Sequence, residues 1–157
     1  MTALPSLKLS LYLTGAMAFT LLLSACSGTR PITMGDARTS IDSCPETPNC
    51  VSSLSDPTDD EHFIKALASP DGITTNALLA RIAKQIDKDP DAELIVNTPT
   101  YLYAEYTSDL MQFIDDVEFL SDTDLGIVEV RSASRIGRSD FGVNRSRIEM
   151  IRQSVDK

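Results

Sequence analysis

The chain has 157 residues, 42 % of them hydrophobic, with 23 acidic against 14 basic side chains and a formal net charge of −9. That length suits one ordinary domain behind an export segment. The excess of acid argues against nucleic acid as a partner, since the phosphate backbone is bound by cationic surfaces.

The chain begins with a segment unlike the rest. Lys8 is the only charged side chain before Arg30, and Leu9–Leu23 runs for 15 residues without charge. A membrane-spanning helix needs about 20 apolar residues, so residues 1–25 read as a secretory signal. The stretch ends in "LSAC", Leu23 to Cys26, which looks like a bacterial lipobox: a small residue precedes a cysteine that is acylated and becomes the mature N-terminus. Two other readings stay open, an ordinary signal cut after Ala25 that leaves Cys26 as an odd thiol, and a short uncleaved anchor. By lipoprotein sorting rules Ser27 directs such a chain to the outer membrane of a two-membrane bacterium. The expectation is a periplasm-facing lipoprotein whose first partner is the membrane, held through its N-terminal lipid. Residues 26–43 then form the lipidated cysteine and a polar, flexible tether, and residues 44–157 form a single domain.

The domain opens with "CPETPNCVSS", Cys44 to Ser53. In an oxidising compartment, with Cys26 committed to lipid, Cys44 and Cys50 remain as an even pair. They would close a seven-residue loop made compact by Pro45 and Pro48, with a stabilisation of about 2 kcal/mol from loop closure. Free or redox-active thiols are a second reading. A zinc half-site is a third, but it needs two more ligands and His62 is the only histidine.

"HFIKALAS" is a short half-apolar segment of unassigned type, followed by a turn at "SPDG". Thr75–Lys88 places Leu78, Leu79, Ile82, Ala83 and Ile86 on one helical face, with Thr75 as N-cap and Asp89-Pro90 as the stop. Four β-type runs follow, "AELIVNT", "YLYAEYT", "DDVEFL" and "GIVEVRSAS". Gly142–Val155 predicts a last helix, capped by Ser139 or Asp140, with Val143, Met150 and Ile151 inward, Ile148 and Val155 adjoining, and Arg145 paired with Glu149.

This order predicts an α+β domain, a small antiparallel sheet with an N-terminal-side helix and a C-terminal helix packed on one face. Alternation sends Leu102, Ala104, Tyr106, Val117, Phe119, Val128 and Val130 toward the helices. The opposite face carries Tyr101, Tyr103, Glu105, Glu118, Glu129 and Arg131, and is expected to be wet, or to line a ligand groove.

"YLYAEYTSDLMQFIDDVEFL" and "VEVRSASRIGRSDFGVNRSRIEMIR" together resemble the family catalogued as domain of unknown function 1499. "CPETPNCVSS" is similar to that family's N-terminal signature, and "DEHFIKAL" to its histidine-containing stretch, with Ala66 where the family pattern has proline. The matching pieces span Cys44 to Arg152. The resemblance implies a small, single-domain, often exported protein with no assigned reaction and no catalytic residues to carry over.

Charge is unevenly spread. Residues 36–130 hold 20 Asp/Glu against 5 Lys/Arg, whereas residues 131–157 hold 7 Lys/Arg against 3 Asp/Glu. The basic end offers a candidate site for an anionic small molecule or an envelope protein: Arg131, Ser132, Ser134, Arg135, Arg138, Asn144 and Arg145 around a glycine-flanked helix start. The competing reading pairs these arginines with Asp115, Asp116 and Glu118 of the same domain. A hydrolase or transferase using His62 and nearby carboxylates is the enzymatic alternative. No nucleophile elbow, calcium loop or phosphate-binding loop accompanies it, and neither cofactor nor metal is expected.

Overall fold

The computed structural model describes residues 28–34 and 38–155. The expected signal peptide and Cys26 lie outside them. The described residues form an α+β fold of six strands and two helices. Strands β3 (Ala92–Asn97), β4 (Tyr101–Thr107), β5 (Ile114–Asp122) and β6 (Ile127–Ser134) make an antiparallel meander. Two short strands, β1 (Cys50–Ser52) and β2 (Leu67–Ala68), both pair antiparallel with β6, so the sheet order is β1–β6–β5–β4–β3 with β2 also beside β6. Sequence patterning did not anticipate β1 and β2, because three and two residues carry no readable period.

Helix α1 (Thr75–Ile86) buries the expected apolar stripe, Leu78, Leu79, Ile82, Ala83 and Ile86. Its N-cap is Thr74 rather than Thr75. The Thr74 hydroxyl accepts from the Ala77 N–H at 3.2 Å, while buried Thr75 accepts a hydrogen bond from the Ser121 hydroxyl. Helix α2 (Val143–Val155) buries Ile148, Ile151 and Val155 as expected, but turns Asn144 and Arg147 inward. Val143 and Met150, expected in the core, face outward at 50 % and 64 % exposure. The sheet beneath the first turns of α2 presents Ser132 and Asp115, so polar side chains find their partners there.

Both helices lie on one face. Leu102, Ala104, Tyr106, Val117, Phe119, Val128 and Val130 share one core with the α1 and α2 stripes, as alternation predicts. Each large side chain buried here stabilises the fold by about 1.5–3 kcal/mol.

The other face departs from expectation, being neither wet nor an open groove. Tyr101, Tyr103 and Glu118 are each 0 % exposed. Described parts of the segment read as a tether lie on them: Ile41 is buried with Tyr101 and Tyr103, and Met34 packs against the same cluster. Gly28 shows how close this strap comes. A Cβ there would sit 3.0 Å from both Arg135 Cβ and Ile136 Cγ2, and its φ of +68° favours glycine independently. Packed structure therefore begins ahead of Cys44.

Candidate functional site

The register of the sheet explains the chemistry of the strapped face. Glu105 of β4 stands directly opposite Asp116 of β5, and Glu118 opposite Arg131 of β6. Like charges so placed repel each other. Arg135, just past β6, answers that repulsion: its Nε lies 3.0 Å from each Asp116 oxygen, and its Nη2 donates to Asp116 at 2.7 Å, to the Tyr103 hydroxyl at 3.0 Å and to Glu105. Arg30 of the strap caps Glu105 from outside. Burial penalises the Arg135 charge, but bonds to Asp116 and Glu105 outweigh that and hold the guanidinium above its ordinary value. Burial likewise opposes the Glu105 charge, and bonds from Arg30, Tyr103 and Arg135 overcome it, leaving Glu105 below the usual carboxylate value.

A parallel unit surrounds Glu118. It accepts from the Tyr101 hydroxyl at 2.7 Å and from Arg38 of the strap at 2.8 Å, while Arg131 stays 3.8 Å away. Burial first, and the adjoining carboxylates second, push the Tyr101 and Tyr103 hydroxyls well above their ordinary value, so both remain donors.

The expected anion corner is thus taken apart by the fold. Arg131 and Arg135 lie on the strapped face. Ser132, Ser134 and Asn144 lie on the helix face, in a network beneath the start of α2. There the Asn144 amide donates to the Asn49 carbonyl, the Ser134 hydroxyl and Asp140, and accepts from Ser132 and Arg147. Arg147 continues to Asp115 at 2.7 Å and stacks over the Tyr106 ring at 4.4 Å. The free N–H groups of the helix start already have an anion: Asp140 accepts from Gly142 at 3.0 Å and Asn144 at 2.9 Å. Burial opposes that carboxylate charge, but these N–H donors keep it below its ordinary value. Arg138 stands exposed in the loop, and Arg145 points to the far side of α2.

Cys44 and Cys50 are joined by a disulfide with Cα atoms 5.7 Å apart, the first of the readings that the sequence offered for this pair. His62 holds this loop in place. Its Nδ1 lies 2.7 Å from Asp59 Oδ2 and its Nε2 lies 3.2 Å from the Thr47 carbonyl oxygen. Both neighbours accept, so both ring nitrogens serve as donors in the imidazolium, and Asp59 raises the histidine above its ordinary value. A histidine committed on both sides has no nitrogen left to act as a general base. Among the described residues, no group of three His, Cys, Asp or Glu side chains is placed to hold a metal ion.

What the fold does assemble is a groove of 590 Å³ between α2 and the Asp60–Ala68 segment. Lys65, Arg145 and Arg152 rim it together with Asp60 and Glu149. Arg145 Nη2 donates to the carbonyls of Asp60, Glu61 and Phe63, at 3.1, 3.2 and 2.9 Å. Its Nε and Nη1 enter none of these bonds, and Lys65 is exposed. The expected Arg145–Glu149 pair does not form, because Glu149 takes Arg152 instead. Arg145 alone among the expected site residues reaches this groove. Lys65 and Arg152 come from outside the arginine-rich loop, so spacing gave no signal for them. Residues 40–155 match the family model described as protein of unknown function, DUF1499, as the quoted segments implied, and the chain belongs to that family. No curated protein and no solved structure matches it.

Proposed function

We propose that the chain is a non-catalytic binding module of the bacterial envelope, anchored through lipid on Cys26 to the periplasmic side of the outer membrane. Its groove between α2 and the Asp60–Ala68 segment takes an anionic ligand, or an acidic group of a protein partner. The observation that carries this reading is the groove itself: Arg145 and Lys65 keep donors there that no carboxylate among the described residues consumes, whereas Arg135 and Arg147 are spent on Asp116 and Asp115. Guanidinium and ammonium groups side by side suit a phosphate or carboxylate. The commitment of both His62 nitrogens speaks against the hydrolase alternative.

The test uses residues 27–157, which include every described contact, exported to a bacterial periplasm and purified gently. Native mass spectrometry reports any retained small molecule, and calorimetry reports titration with inorganic phosphate and with an acidic peptide. Lys65→Glu reverses one charge at the groove, and among the described residues the Lys65 side chain makes no hydrogen bond that this would break. We expect at least one anion to bind, and this variant to weaken it about tenfold at unchanged Tm. Absence of any anion, retained or added, overturns the reading, as does binding that Lys65→Glu leaves intact.

A further inference from the structure

Across α2 from that groove lies a second one of different chemistry. It encloses 470 Å³ between the first turns of the helix and the β4–β5 hairpin. One wall is apolar and turned to solvent: Phe141 is 96 % exposed, Met150 64 % and Val143 50 %. The floor is the Tyr106 ring with Arg147 stacked on it. The other wall holds Asp89, Asp91 and Asp109. Arg147 is already paired with Asp115, and none of these three aspartates forms a salt bridge among the described residues.

Three observations set this face apart. Over its first two turns helix α2 buries Asn144 and Arg147 beside Ile148 while exposing Val143 and Met150. Phe141 and Gln112 are the non-glycine residues with positive φ among the described residues, at 55° and 54°, and they stand in the two loops that flank the groove. Such conformations cost energy and persist where the surroundings or a function require them. The hairpin loop adds Leu110 and Met111, 90 % and 55 % exposed. Large apolar side chains exposed together along one groove, as Phe141, Val143 and Met150 are, mark an interaction site.

We propose that this groove docks a basic amphipathic segment of another protein, with apolar anchors against Phe141, Val143 and Met150 and Lys or Arg side chains against Asp89, Asp91 and Asp109. Charge decides among possible occupants. An anionic lipid surface is repelled by the aspartate wall, and a second copy of a chain with net charge −9 brings the same sign of charge. A cationic, half-apolar helix satisfies both walls at once. This site stands apart from the anion groove and does not depend on it.

The chain contains no tryptophan, so a peptide carrying a single Trp reports its own binding by fluorescence. The probes are a helical Leu/Lys peptide, its Leu/Glu twin, and phosphatidylglycerol vesicles, each added to residues 27–157. We expect the Leu/Lys peptide to bind with strong salt dependence and the Leu/Glu peptide not to bind. Phe141→Ser with Met150→Ser should weaken binding about tenfold or more at unchanged Tm. Asp91→Asn with Asp109→Asn should weaken it and flatten the salt dependence. The proposal is overturned if the Leu/Lys peptide fails to bind at millimolar concentration, if both peptides bind alike, if the serine variant binds as well as the parent, or if vesicles bind in place of peptide. Dimerisation through this face in sedimentation would overturn it too.

Discussion

On the helix face of the sheet, Val117 and Phe119 of β5 share a core with Leu79, Ile82 and Ile148. One residue away in each case, Asp116 and Glu118 point to the opposite face and meet Arg135 and Arg38. Both faces are dry, yet they are closed by different forces. The helix face is closed by non-directional apolar burial, which tolerates repacking of similar volume. The strapped face is closed by bonds of fixed geometry between charges, where removing one partner strands the other in a dry site. The lesson is that a strand's polar alternation marks which face needs a polar cover, not which face meets solvent.

The largest expected effect tests this directly. Arg135→Ala takes the guanidinium from Asp116 and leaves Glu105 to Arg30 and Tyr103, and should cost about 3–5 kcal/mol, much the same as Phe119→Ala on the helix face. Acid separates the two. Glu105 lies below its ordinary value of 4.5 in the folded chain, so its contribution is complete above that value and is lost as pH falls through the depressed one. Denaturant titrations at neutral and acid pH should show the Arg135→Ala cost shrinking in acid while the Phe119→Ala cost holds steady. If both costs respond to pH alike, the distinction between the faces fails.

A smaller effect is expected from the strap. Arg38→Ala removes a charged bond to Glu118, which is 0 % exposed, and should cost about 1.5–3 kcal/mol. Hydrogen exchange in β4 and β5 should rise at Tyr101, Tyr103 and Glu118. A cost within about 0.5 kcal/mol, the range of ordinary surface changes, would return this face to the wet surface that alternation suggests.

The smallest effect concerns the disulfide loop. His62 is raised in the folded chain, so its added stability is complete below the ordinary 6.5 and fades as pH climbs through the raised value. Asp59, its partner, is lowered by the His62 bond, so the clasp persists down to the depressed carboxylate value. The Tm gap between the parent and His62→Gln should therefore be widest in mildly acid solution and narrow toward alkaline pH. A gap that stays flat, or widens with pH, would mean that His62 is held neutral.

Much of this was legible in advance. Leu78 to Ile86 at helical spacing, and the period of two through Tyr101–Thr107, placed a helix and a strand on the same core, because periodicity records one buried face directly. The disulfide followed from two cysteines six positions apart in a chain whose first residues read as an export signal. The arginine-rich loop was also visible, but its residues scattered. Arg131 and Ser132 point to opposite faces because they are neighbours on a strand, and Arg145 and Arg147 leave α2 on different sides.

The sequence by itself determined the class of fold, the strands and helices of the meander, and the face that the helices cover. Those depend on local period and on apolar burial, which needs no particular partner. Tertiary structure decided what Arg30 and Arg38 do, which carboxylates stay charged and dry, and which donors remain for a ligand. These outcomes rest on pairings such as Arg38 with Glu118, separated by 80 positions in the chain. A charge carries no mark of its partner until the fold brings the two within bonding distance.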